Sequence, residues 1–176
     1  MKLFKALFSI IVVLAVALGI NATAFAVSGS YELTVPEGFT SFDAEGQAAA
    51  WKNADGSIII NLAVTENTSN VKVNPNDAGQ SYITALENEM KATVTQNPDL
   101  SGSVAEIHSE LMELGEHDAL RIFMKANYTF GNNQISVYQL CYVFETVNYI
   151  HAFVVTGEED ISSFADEFIK TVRINS

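Results

Sequence analysis

The sequence predicts an α+β fold in which helices pack on a mostly antiparallel β-sheet. Strand-like segments fall in two groups, within residues 31–65 and 120–156. Each group is followed by a segment whose apolar residues recur every three or four positions, as on one face of a helix. The last two strand segments are separated only by residues 145–148, so they must be antiparallel neighbours. The order strands, helix, strands, helix is typical of an α+β domain.

The first strand is predicted at residues 31–35. Tyr31, Leu33 and Val35 alternate with polar residues there. Pro36 lacks the N–H that a ladder needs, and Gly38 permits the turn that follows. We therefore expect this strand to end at the proline.

Two more strands are predicted around a tight turn at residues 53–56, where Asp-Gly favours a hairpin. Trp51 lies in the first, and residues 57–65 form the second. The second has apolar residues on both faces: Ile58, Ile60, Leu62 and Val64 on one, Ile59 and Ala63 on the other. Such a strand is expected to be covered on both sides.

A helix is predicted at residues 77–96, with Asp77 as its N-cap and Pro98 beyond its end. One face carries its apolar residues: Ile83, Leu86, Met90 and Val94. Residues 103–114 are ambiguous. Their composition and spacing favour a helix, because Val104, Ile107, Leu111 and Leu114 fit a helical stripe.

The C-terminal half predicts three strands and a final helix. In residues 120–128 apolar and polar side chains alternate, and residues 135–145 and 147–156 are rich in β-branched and aromatic residues. The closing helix has one apolar stripe: Ile161, Phe164, Ala165, Phe168, Ile169 and Val172. Thr156 and Glu159 match a capping box for it.

The N-terminus has the organisation of a secretory signal peptide. Lys2 and Lys5 precede an apolar run at residues 7–20, and Ala24-Phe25-Ala26 provides a small-residue cleavage site. We expect a signal peptide at residues 1–26, a single domain at residues 27–176, and a secreted or cell-surface location. An uncleaved membrane anchor is the alternative, and only then is membrane contact expected.

Charge excludes some partners. The chain carries 9 basic and 21 acidic residues, a formal net charge of −12. Phosphate backbones would be repelled, so nucleic acid is not an expected partner. Cys141 is the single cysteine, so the chain can form no internal disulfide, and its apolar neighbours predict a buried residue.

Three segments together resemble the PsbP-like superfamily. They are YELTVPEGF (residues 31–39), LGEHDALRI (114–122) and ISSFADEFIKTVRI (161–174). The resemblance implies an α/β/α sandwich with an antiparallel sheet, and it implies that residues 103–114 form a strand. It transfers no catalytic residue, because the superfamily has no common active-site motif. Its characterised members mainly bind or scaffold other proteins.

No motif for chemistry emerges from the residues. His108, His117 and His151 lack the short spacing of a zinc site, and His151 is expected to be a half-buried sheet residue. Residues 74–79 look superficially like a calcium loop, but Ala85 occupies the place of its closing glutamate. We therefore predict no catalytic residue, cofactor or metal.

The leading hypothesis is an exported, non-catalytic domain that binds a protein or small ligand at the bacterial cell surface. The alternative is a secreted hydrolase whose site is built from dispersed Asp, Glu and His residues. It requires a cleft in which at least two of these converge.

Overall fold

The computed structural model describes residues 31–44, 47–67, 72–73, 80–95, 101–130, 133–146 and 148–174. The strands are β1 (Tyr31–Glu32), β2 (Thr40–Ser41), β3 (Ala49–Lys52), β4 (Ile58–Glu66), β5 (Ser101–Leu114), β6 (His117–Phe130), β7 (Asn133–Glu145), β8 (Tyr149–Gly157) and β9 (Arg173–Ile174). The helices are α1 (Gln80–Thr95) and α2 (Ser162–Ile169). The signal peptide, the Asp77 cap, Pro98 and the calcium-like segment lie outside the described residues.

Seven strands form one antiparallel sheet in the order β2-β3-β4-β8-β7-β6-β5. The chain enters at one edge, crosses to the far edge through α1, and returns by three hairpin connections to pair β8 with β4. β1 and β9 form a separate two-stranded ladder. Within the described ranges, no helix is long and apolar enough to cross a membrane.

A hydrophobic core lies on each face of the sheet. The α1 core joins sheet residues such as Ile59, Ile122 and Cys141 to the apolar stripe of the first helix: Ile83, Leu86, Met90 and Val94. The α2 core joins the opposite sheet face to the second helix: Ile60, Leu62, Phe144 and Phe153 contact the cluster of Ala165, Phe168 and Ile169. The predicted two-faced strand and the antiparallel α/β/α arrangement are therefore confirmed.

The periodicity prediction for residues 103–114 is wrong, and the implication of the resemblance is confirmed, because these residues form β5. The register shifts between Val104 and Glu106 at a β-bulge. One extra residue lets Val104 and Ile107 lie on the same sheet face at a spacing of three. Leu114 packs in the opposite core. The helix-like spacing of the apolar residues therefore has two causes. The bulge brings Val104 and Ile107 to one face of the sheet, and Leu114 lies on the other face.

The first strand is shorter than predicted. It comprises only Tyr31 and Glu32, which pair with Ile174 and Arg173. The next partner in this register would be Val172, whose N–H already bonds the Ile169 carbonyl at the exit of α2. The partner strand therefore runs out before Pro36 is reached.

Pro36 instead begins the turn that follows. Its carbonyl accepts a bond from the Phe39 N–H at 3.2 Å, and Gly38 has φ 83°. A positive φ at that place favours glycine, as expected from the sequence.

The predicted capping box is wrong. β8 continues through Gly157, and the Thr156 hydroxyl accepts a bond from Gln139 inside the sheet. Ile161 stands at the N-cap with no side-chain cap bond. Asp160 serves the helix start instead, because its Oδ1 accepts the Ser162 N–H at 2.9 Å.

Replacing Gly102 with alanine is expected to lower the free energy of unfolding by about 1–3 kcal/mol. A methyl group there would lie 2.5 Å from the Val94 carbonyl oxygen and 2.8 Å from the Tyr128 ring, so α1 would have to shift from the sheet. Urea unfolding measures the change. Ser103→Ala, at an exposed neighbouring position, is the control and should change stability little. Equal stability of the two variants would contradict the close approach.

Candidate functional site

A cleft of about 330 Å³ opens where the β5–β6 turn meets the residues that follow α2. Its lining comes from two distant parts of the chain: Glu113, Leu114, Gly115, Glu116 and His117 on one side, and Lys170, Val172 and Arg173 on the other. The fold therefore brings together two segments more than fifty residues apart.

A tight turn forms the acidic wall of the cleft. Pairing between β5 and β6 continues as far as Leu114 and His117, which leaves only Gly115 and Glu116 in the loop. Gly115 has φ 64°, a value that glycine adopts without the strain of a Cβ atom. The turn holds Glu113, Glu116 and His117 at the cleft.

The cleft combines an apolar floor with charged walls. Leu114 and Val172 are each 5% exposed and belong to the α2 core. Glu113 and Glu116 are exposed on one wall, and Lys170 and Arg173 are exposed on the other. The Lys170 Nζ also lies 2.7 Å from the Glu167 Oε1. An open space with opposite charges on facing walls suits a polar partner with groups of both signs.

An ion pair fixes α2, and hence the basic wall, against the sheet. Arg121 on β6 donates to both carboxylate oxygens of Asp166, at 2.8 and 3.1 Å. Tyr142 on β7 donates its hydroxyl to the same carboxylate at 2.6 Å. A third Arg121 bond, of 3.0 Å, reaches Glu110 on β5. Two-pronged Arg–carboxylate bonding gives this contact a defined geometry.

The same contacts shift the pKa values of their members. Burial alone would raise the pKa of Asp166, but the hydrogen bonds from Arg121 and Tyr142 outweigh it and lower the value. Burial, followed by the Asp166 bond and charge, raises the pKa of Tyr142. Asp166 is therefore a bound carboxylate that stabilises the fold above its ordinary pKa, and that contribution is lost as pH falls through the lowered value.

Asp166→Ala is expected to lower the free energy of unfolding by about 1–3 kcal/mol, because it leaves Arg121 and Tyr142 without their acceptor. The Asp166 side chain is 37% exposed, so solvent screening keeps the loss below that of a fully buried pair. Urea unfolding at neutral pH measures it.

The matched control is Glu167→Ala, which removes a neighbouring carboxylate that, within the described ranges, bonds only the exposed Lys170. It should leave stability nearly unchanged. If both variants lost the same stability, the network would not be what holds α2.

The three histidines lie in three different environments. His117 lines the cleft as the first residue of β6, directly after the turn at Gly115 and Glu116. His108 on β5 is half exposed, stacks on Phe123 with centroids 4.9 Å apart, and lies 3.6 Å from Glu106. His151 lies on β8, on the same sheet face as Phe153.

His151 is more buried than predicted. It has 0% exposure rather than a half-buried place. Its ring stacks on Phe144 at 4.9 Å, and Nε2 is 3.4 Å from the Thr146 hydroxyl. Nδ1 has no hydrogen-bond partner among the described residues. Burial, with a smaller effect of the His117 charge, lowers the pKa of His151 to about 4.

Cys141 is buried, as predicted, and burial raises its pKa to about 12, so the thiol is not a nucleophile at neutral pH. In the described part of the chain, no three His, Cys, Asp or Glu side chains are placed to hold a metal ion. Sequence reasoning did not find the cleft. The glycine at position 115 is a local sequence signal for the turn that brings Glu113, Glu116 and His117 together. No local pattern indicated that Lys170 and Arg173 would face them.

Solved structures share this fold at low sequence identity. The cyanobacterial PsbP protein CyanoP from Synechocystis aligns with TM-score 0.62 and 15% identity, over 85% of this chain and 89% of its own. LpqN of Mycobacterium tuberculosis, described as involved in cell envelope biogenesis, aligns with TM-score 0.51 and 12% identity, over 83% of each chain. A protein of Bacteroides thetaiotaomicron aligns with TM-score 0.52 and 14% identity, over 84% of this chain but 46% of its own.

These likenesses show that the chain has a PsbP-like fold. The chain matches no protein-family model and no curated protein sequence.

Proposed function

We propose that this protein is an exported, non-catalytic domain that binds a protein or small ligand at the outer face of the bacterial cell envelope. The observation that carries the proposal is the cleft, with charged walls over an apolar floor. The signal-like residues 1–26 support export. Two structural neighbours add support: one is a PsbP protein and the other is described as involved in cell envelope biogenesis.

The character of the cleft favours binding over catalysis. Catalytic acids and bases are usually found where burial and neighbours shift the pKa strongly. Among the described residues, the side chains with strong shifts in pKa are Tyr128, Cys141, Tyr142 and His151. None of them lines the cleft, whereas Glu113 and Glu116 are exposed to solvent.

The partner is proposed to be a polypeptide or a small polar molecule rather than nucleic acid, because the net charge of −12 repels phosphate backbones. Membrane contact is proposed only for a form that keeps its N-terminal segment. N-terminal sequencing of the protein from its native host decides between the two forms. A chain starting at Val27 supports export with cleavage, and a retained Met1 supports the anchored form.

Capture from native cell envelopes tests the binding proposal. Immobilised residues 27–176 should enrich the same partner repeatedly, and the double variant Glu116→Lys, Arg173→Glu should lose it, because Glu113 then faces a lysine on its own wall, Lys170 a glutamate on the other, and the formal charges on each wall cancel. Glu89→Lys, at an exposed position of α1, is the matched control and should retain the partner. Capture that is absent, or equal for all three proteins, counts against the cleft as the binding site.

The hydrolase alternative keeps one observation in its favour, since Glu113, Glu116 and His117 converge at the cleft. A hydrolase would turn over ester, amide or glycoside substrates and lose that activity in His117→Ala. The binding domain would show saturable binding without turnover. A substrate panel assayed with wild type and His117→Ala separates the two functions.

A further inference from the structure

We propose that the outer edge of β5 receives an extended polypeptide segment bearing basic residues, which joins the sheet as an eighth strand. This inference rests on the proposed binding function and names the chemistry of a partner. It concerns a surface that adjoins the cleft, because β5 ends at Leu114 in the cleft lining.

The two edges of the sheet differ greatly. β2 forms one edge with only two residues, whereas β5 forms the other with 14. β5 pairs with β6 on its inner side, and no described residue pairs with its outer side. An unpaired edge presents backbone N–H and C=O groups that another strand can bond.

Most of this edge is regular. After the bulge, nine consecutive residues from Glu106 to Leu114 pair with β6 without a break. A typical strand has about five or six residues, so the regular part is long enough for a complete added strand.

The side chains of β5 define the partner's chemistry. Glu106, His108 and Glu110 lie on the α2 side of the sheet, with side chains 58%, 51% and 58% exposed. β6 places Lys125 opposite Glu106 and Arg121 opposite Glu110. A new strand with basic residues four apart would repeat this arrangement on the outer side, where opposite charges across strands are favourable.

The other face of the edge offers an apolar contact. Leu111 is 40% exposed and lies on the α1 side, opposite Leu120. An added strand with apolar residues on that face would cover it. The preferred segment therefore alternates apolar residues with polar ones that include Lys or Arg at a spacing of four.

A second copy of the chain is disfavoured at this edge by its net charge, and most strongly in the register centred on His108. Antiparallel pairing of two β5 strands about His108 would place Glu106 of each copy opposite Glu110 of the other. Like charges directly opposite each other destabilise a ladder, and the net charge of −12 adds repulsion.

Titration of ¹⁵N-labelled protein with the peptide acetyl-Thr-Val-Arg-Val-Thr-Val-Lys-Val-Thr-amide tests the proposal. Amide shifts should concentrate at residues 106–114, and outward amides of β5 should gain protection from hydrogen exchange. A control peptide with Glu in place of Arg and Lys, and the variant Glu106→Lys, should each weaken binding by about tenfold or more. Glu89→Lys makes the same charge change on α1 and should bind like wild type.

Shifts elsewhere, equal binding of the acidic peptide, or unchanged binding by Glu106→Lys would overturn the proposal. Sedimentation experiments that show a dimer of this protein, lost in Glu106→Lys, would mean that the occupant of the β5 edge is a second copy of the chain. That result would also overturn the proposal. Failure at β5 together with partner loss in the cleft variant would leave the proposed function standing, so the two failures are distinguishable.

Discussion

Phe153→Ala is expected to lower the free energy of unfolding by about 3–5 kcal/mol, the largest effect of any substitution considered. Phe153 lies on the central strand β8 and is 0% exposed. The centroid of its ring lies 6.0 Å from that of Tyr31, 6.1 Å from that of Phe144 and 5.9 Å from that of Phe168. The substitution thus removes contacts to β1, to β7 and to α2 at once.

Urea unfolding followed by circular dichroism measures the loss. A domain of this size has about 5–15 kcal/mol of stability, so the alanine variant can fall close to unfolding. Phe153→Leu keeps most of the volume and should cost much less. Similar losses for the two variants, or a small loss for alanine, would contradict the place of Phe153 at the centre of the α2 core.

Acid is expected to destabilise the protein through His151 by roughly 3 kcal/mol between neutral pH and pH 4. The ring is held neutral between Phe144, Tyr31 and Tyr149, with the Thr146 hydroxyl as its polar contact. His117 is the neighbouring ionisable group that opposes a second positive charge.

The direction in which stability changes with pH follows from the lowered His151 pKa of about 4. Above the ordinary histidine value of about 6.5, the ring is neutral in both folded and unfolded chains, and the stability is complete. Between about 6.5 and 4 the unfolded chain binds a proton that the folded chain refuses, so stability falls as the pH falls. Below about 4 both forms are protonated, and this group causes no further loss.

Urea unfolding of wild type and His151→Phe from pH 7.5 to pH 4 isolates this contribution, since carboxylates titrate in both proteins. The phenylalanine ring can keep the stack on Phe144 while removing the titrating group. The variant should therefore lose less stability than wild type across this range. Identical pH profiles, or a His151 proton resonance that titrates near 6.5, would show that the ring is not held neutral by burial.

Local patterns predicted those parts of the fold whose periodicity is not interrupted. The alternation in β4 and β6 and the stripes of both helices depend only on neighbouring residues, and the two cores confirm them. Periodicity predicted the wrong structure for β5, because the bulge changes the spacing of its apolar residues. The bulge depends on pairing with β6, which the local sequence does not specify. The length of β1 likewise depends on a distant segment. Its partner strand begins only at Arg173, because Val172 still bonds Ile169 at the end of α2.

The candidate surfaces required tertiary information. The cleft exists because Arg121 and Tyr142 hold Asp166, which places the end of α2 beside the β5–β6 turn. No spacing in the sequence encodes that meeting. The edge position of β5 depends on the strand order, although three glutamates within residues 103–114 are a composition that edge strands favour.

Photocross-linking in native cells tests most directly whether the cleft holds a partner at the outer face of the envelope. Glu116→p-benzoylphenylalanine places the reactive group in the cleft, and Glu89→p-benzoylphenylalanine places it at an exposed position of α1. The predicted result is a discrete adduct, in the extracytoplasmic fraction, that forms at position 116 and not at position 89. Equal labelling at both positions, no adduct, or a protein found only in the cytoplasm would contradict the proposed function.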